Sequence, residues 1–498
     1  MTTSIFEFRK VNTLLVCMIT TLFVINALSK YSPFLGTSIA IIELLILIIL
    51  LIRGKLDTYI LYLLLFISTS IEVSQFATGD ETIRIYNFMY LPIIKSYHIL
   101  LLTILPIFLV IKEEKILSFI KNLKDFKLVR KVIKGMLLIL IVGVFSGSLS
   151  LLFNDNGVLY FPEYWVILRR EIISFGLIFL WAFFISYLMI LRRDFSHKLE
   201  RLLINIMVSI LPSAIITIVF NLHGYYGIIE ILLLPLVAFY GILLIIFPFY
   251  SDYKNRKILM VVGVSMFAIL LIFPTPLSGK WWILSIFIPL FMLWIYFKRL
   301  TILKILKLYM GIALVSLVFI AISLFDLNIG YSFSNKLIET KFLQATRTLS
   351  FWNEGWFEHL SSSPKFRIDE FINILLEYIY KPQYLLFGKG FGGSIIQHTN
   401  FLDWGLPGAF SYSQVQYGIF FSLHETINVL FLKFGLFGLY FFGVITYICL
   451  RNFRSNPWIV IGAIWFIFFF NAYISLVLGL CALILGFYYK DIKSLEKC

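Results

Sequence analysis

"INVLFLKFGLFGLYFFGVITYICL", residues 427–450, holds one charge, Lys433, in 24 residues. As a helix it is about 36 Å long. A hydrocarbon core is about 30 Å thick, so this stretch crosses a bilayer. Similar apolar blocks recur along the chain, among them Val11–Leu28 and Ile172–Leu191. The 498 residues are 60% hydrophobic and 14% charged, with a mean hydropathy of +0.94. A soluble protein of that make-up could not cover its surface with polar groups. Blocks of this length exclude a transmembrane barrel, whose strands are about ten residues long and alternate. The fold class is an all-α polytopic membrane protein.

Fourteen spans are predicted, at 11–28, 34–52, 57–73, 90–111, 136–153, 172–191, 202–220, 228–248, 258–274, 281–297, 308–325, 427–450, 458–472 and 473–489. The last two are short and can form one bent unit. With Arg9 and Lys10 inside, the inner segments collect 28 of the 42 Lys and Arg, eight of them between Lys112 and Lys134. This asymmetry places both termini in the cytoplasm. The net charge of +15 thus records orientation, with lipid contact at 112–134, and not nucleic-acid binding. The first block is too long, and lacks the small-residue cleavage site, of a signal peptide. Cys17, Cys449, Cys481 and Cys498 form no CxxC pair, which argues against structural zinc and disulfides.

Three regions follow. Residues 1–326 form an N-terminal bundle of about eleven spans. Residues 327–426 form one large outer loop, and 427–498 the closing spans and a short tail. A loop of that length without a spanning block is where function is expected. Within it, Phe366–Tyr380 reads as a helix ended by Lys381-Pro382. Ile368, Phe371, Ile372, Leu375 and Ile379 make its apolar stripe; Arg367, Asp369, Glu370 and Glu377 make its polar face. It can lie flat on the membrane or on the bundle. "LLFGKGFGGS", 385–394, is a glycine-rich turn whose N–H groups could meet a phosphate. It follows no strand and lacks a P-loop ending. "FLDWGLPGAFSYSQ", 401–414, is aromatic, suited to stacking on sugars or packing at headgroup level. His398 reads as a loop residue.

His424-Glu425-Thr426-Ile427-Asn428 stands at the mouth of the 427–450 helix. A zinc protease needs a second His where Asn428 stands, so a metal site is not expected here. His424 and Asn428 share a helix face. Gly435 and Gly438 allow close helix packing. Lys433, two turns in, is expected to snorkel outward.

Arg367 opening an amphipathic helix, Pro382 before Gly388-x-Gly390, and His424 opening a helix that continues to Gly435-Leu436-Phe437-Gly438 resemble the O-antigen ligase and O-antigen polymerase superfamily. The likeness covers roughly 365–443. It departs at Glu425, where many members carry Asn, and in span count, which is typically about twelve. The resemblance implies a GT-C-type helix bundle in the bacterial inner membrane, with its active site facing the periplasm or cell exterior. It implies metal-independent, inverting glycosyl transfer from an undecaprenyl-pyrophosphate-linked oligosaccharide, without a cofactor. Membrane lipid, a chain-length regulator and a flippase are the other implied partners.

The residues suit that chemistry. A sugar hydroxyl attacks once a base takes its proton, and His serves near neutral pH. The departing diphosphate gathers charge, which Arg binds bidentately. His424 is the expected base, with Glu425 as a possible supporting group. Arg367, Arg170, Arg169 and Lys95 are the expected diphosphate cations. Gly388 and Gly390 support the site. A polymerase is expected ahead of a ligase that transfers glycan to lipid A core. A lipid-linked oligosaccharide flippase is disfavoured, because no internal repeat is visible.

Overall fold

A computed structural model describes residues 11–29, 33–69, 113–219, 256–272, 357, 360, 362–399, 401–402, 404–405, 410–421, 423, 426–469 and 477–496. The spans expected at 90–111, 228–248, 281–297 and 308–325 lie outside the described residues, as do Lys95, His424 and Glu425.

The described residues fold as helices: α1 (Thr13–Ser29), α2 (Pro33–Ile52), α3 (Leu56–Thr69), α4 (Glu113–Asn122), α5 (Lys127–Leu152), α6 (Tyr164–Leu191), α7 (Arg193–Val219), α8 (Arg256–Ile272), α9 (Ser362–Tyr380), α10 (Tyr412–Tyr417), α11 (Thr426–Asn452), α12 (Pro457–Phe469) and α13 (Val477–Leu495). No strand occurs among the described residues; Ile395 and Phe420 share one isolated antiparallel bridge. Among the described residues, four helices are long and apolar enough to cross a membrane: α5, α6, α11 and Asp194–Ile216 within α7. The chain divides into two compact units, residues 1–206 with 366–498, and residues 207–365. The candidate site lies in the first.

Two helices begin earlier than hydropathy indicates. α5 starts at Lys127, and its first two turns carry Lys127, Arg130, Lys131 and Lys134. Charge lowers hydropathy without opposing a helix. The free amides of Leu128 and Val129 donate to Asp491 at 2.9 and 3.2 Å, which satisfies that helix start. α6 starts at Tyr164, where Tyr164 and Ile167 bury against Phe161 and Phe421. Arg169 and Arg170 therefore sit on a continuous helix, not before it.

The two closing spans are separate helices packed antiparallel. A Cβ on Gly462 would lie 2.4 Å from Leu483, and one on Gly486 would lie 2.6 Å from Ile459. Small residues let the two backbones approach. At this end of the unit Asp57 receives Arg192 and Lys198, both at 3.0 Å. Glu200 accepts from Trp458 Nε1 at 3.1 Å and from the Tyr489 hydroxyl at 2.9 Å. Helix ends that the charge pattern groups on one side thus meet in space.

Candidate active site

α11 is broken. Gly435 has φ 58° and ψ −146°, a conformation open to glycine and strained for other residues. A break strands carbonyls on one side and amides on the other. The glycine-rich turn fills it. Lys389 N donates to Leu432 O at 3.0 Å, and Gly390 N donates to Lys433 O at 2.8 Å. In return Leu436 N and Phe437 N donate to Leu385 O and Leu386 O, at 2.9 and 3.0 Å. The Tyr378 hydroxyl reaches Phe431 O and Leu432 O, each at 2.7 Å.

The other side of the turn seats on α5 at Gly143 and Gly147. Phe391 N donates to Gly143 O at 2.9 Å, and Ser146 Oγ donates to Phe387 O at 3.2 Å. Gly392 N donates to Glu171 Oε2 at 2.7 Å. Gly388 N and Gly393 N bond to Tyr384 O and Gly390 O. Every N–H from 388 to 393 is therefore given to the protein. The expected anion cradle is corrected: Gly388 and Gly390 serve close backbone packing, and their amides have no capacity left for a phosphate.

Lys433 does not snorkel outward. It is 1% exposed, paired with Glu171 Oε1 at 2.7 Å, and it donates to Gly393 O at 2.6 Å. The broken helix turns it toward the loop, where a carboxylate from α6 meets it. Arg170 lies within electrostatic range of Lys433, and its side chain is half-buried. Arg169 is exposed.

α9 is reversed relative to a water-facing amphipathic helix. Asp369, Glu370, Asn373 and Glu377 are fully buried, while Leu375 is 42% and Ile379 64% exposed. Buried polar groups need partners, and each of these has them. Asn428, in the first turn of α11, donates through Nδ2 to Arg367 O and Glu370 Oε2, both at 2.9 Å. Asp369 accepts from Thr399 Oγ1 and from Trp404 Nε1, the latter at 2.8 Å. Trp404 is buried among Phe366, Phe410 and Phe420, so it braces α9 and is not free to stack on a sugar.

Glu377 anchors a second cluster. It pairs with Lys389, with Lys381 at 2.9 Å and with His398 Nε2. Lys389 also meets Asp155, and Lys381 meets Asp155 at 2.6 Å. Burial pushes the Glu377 carboxyl up, but Lys389, Lys381 and His398 outweigh it and hold the carboxyl at about 2. A carboxyl held low stabilises the fold above its unfolded value and loses that contribution as protons bind. The Glu377 contribution is thus complete above pH 4.5 and fades as pH falls toward 2. Thermal unfolding in detergent at pH 5 and pH 3 checks this. The drop in midpoint should be smaller in Glu377→Gln than in the wild type; equal drops would remove Glu377 from the account.

Arg170 and Arg367 thus lie on helices that pack against α11, and His424 stands two residues before that helix in the sequence. Sequence reasoning missed Glu171, Lys389 and Asp155, and named Glu377 only as part of a polar helix face. The available signal was opposite charge inside apolar or glycine-rich runs, since such charges are costly and tend to be retained for a reason. Neither family models nor curated proteins nor solved structures yield a match to this chain.

Proposed function

We propose that this protein is a metal-independent, inverting glycosyltransferase that polymerises lipid-linked oligosaccharide repeat units at the outer face of the bacterial inner membrane. The observation that carries the reading is the Asn428 bridge to Arg367 O and Glu370. It ties the helix bearing Arg367 to the turn that directly follows His424. α6 supports the reading by bringing Arg170 within electrostatic range of Lys433.

In this reaction His424 takes the proton of the acceptor hydroxyl. The hydroxyl oxygen bonds to the anomeric carbon as the bond to the diphosphate breaks. The electron pair leaves on the undecaprenyl diphosphate, whose charge Arg367 and Arg170 hold. A positioned base is worth about 10²–10⁴-fold in rate.

Complementation of a deletion strain tests it, with polysaccharide displayed on a gel. His424→Ala and Arg367→Ala should lose the polymer ladder at normal protein level, and Arg170→Ala should shorten it more than Arg169→Ala. A retained full ladder removes the role of the residue changed. Polymerase loss leaves core bearing one repeat unit. Bare core with accumulated lipid-linked polymer would assign the chain to ligases instead.

A further inference from the structure

We infer that residues 366–395 are a re-entrant membrane unit, whose outer face lies among lipid acyl chains, and not an aqueous loop. Three observations carry this, and none depends on the proposed reaction.

The first is the reversal of α9. Facing water, a helix with fully buried Asp369, Glu370, Asn373 and Glu377 and exposed Leu375 and Ile379 has its polarity inverted. Facing hydrocarbon, the same arrangement satisfies both faces, because polar groups must then be paired inside the protein. The second is backbone satisfaction. Irregular backbone is tolerated at membrane depth only where protein buries it, and each amide from 388 to 393 has a protein acceptor. The third is position. Gly147 is five residues inside the end of α5, about 8 Å along its axis. The turn that seats on it therefore lies beneath the end of a candidate span, and it meets α11 at the break, not at that helix's start.

The apolar surface continues across these elements. Leu386 is 54% and Phe387 42% exposed. They stand beside exposed Leu436 on α11, whose amide donates to Leu385 O. Ser146 binds Phe387 O next to exposed Phe145 on α5. The exposed face of 385–387 is therefore continuous with the apolar sides of two candidate spans. That continuity selects acyl chains as the occupant over a protein partner.

The test uses the full chain with Cys17, Cys449, Cys481 and Cys498 replaced by Ser. Single cysteines at Ile379 and Leu386 are labelled with bimane in proteoliposomes containing doxyl-labelled phosphatidylcholine. Leu138→Cys on α5 is the lipid-facing reference and Glu163→Cys the aqueous one. Ile379→Cys and Leu386→Cys should be quenched as Leu138→Cys is. They should react with a sulfonated maleimide about tenfold more slowly than Glu163→Cys, as groups beneath the water boundary do. Rapid reaction and no quenching at either position overturns the inference. Leu375→Cys reports on the same face if Ile379→Cys is not recovered as folded protein.

Discussion

Gly390→Ala is expected to remove nearly all folded protein. The added methyl would lie 1.9 Å from Gly147 N and 2.5 Å from both Gly143 O and Gly147 Cα. All three are backbone atoms of α5, so no side chain can swing aside. The position also has φ +69°, which an alanine adopts only under strain. Overpacking alone costs about 1–3 kcal/mol where side chains can move. Here the loop must leave its seat, which also frees the carbonyls of Leu432 and Lys433. The total should exceed about 4 kcal/mol, the exceptional range for one substitution. Gly176→Ala is the control, since nothing lies within 4 Å of where its methyl would stand and its φ is ordinary. Extraction into detergent followed by size-exclusion chromatography reads the outcome. A normal monodisperse peak for Gly390→Ala would mean that the turn does not sit against α5 as described.

Lys389→Met should produce the largest loss among charge changes. Lys389 is fully buried and is shared by Glu377 and Asp155. Its removal leaves two buried carboxylates with Lys381 as their remaining lysine partner. Breaking one side of a buried pair costs about 3–5 kcal/mol, because the other charge stays buried. Lys381→Met should cost less, since that ammonium is partly exposed and Lys389 would remain. The double variant Lys389→Met, Glu377→Gln should recover part of the loss, which a double-mutant cycle of thermal unfolding measures. Strict additivity would show that the two groups do not depend on one another.

The spanning blocks were legible because hydrocarbon selects for length and apolarity, both readable in one dimension. α5, α6 and α11 all coincide with expected blocks. The starts of α5 and α6 were not legible; in α5, Lys127, Lys131 and Lys134 depress hydropathy at a start that Asp491 caps from far along the chain. The period of α9 gave its two faces correctly, yet could not tell which solvent each face meets. Asp369 and Glu377 read as a polar face without a stated partner, and the structure buries both. Glu171 illustrates a further limit. It meets Gly392 from 221 residues away, and no local spacing encodes such a partner. For the candidate site, the three segments carrying Arg170, Arg367 and His424 were legible as isolated signals. The charge pairs that fix their surroundings were not.

The distance between Leu128 and Asp491, 363 residues along the chain, also governs the order of assembly. A ribosome adding about 5–20 residues per second needs roughly 20–70 s between the two. During that interval α5 has emerged while the group that caps it has not been made. Its groove at Gly143 and Gly147 likewise stands open until residue 390 appears. The turn in its own right lacks two of its six acceptors until residue 433 follows. α5 must therefore wait in an unfinished state, and residues made much later lock it.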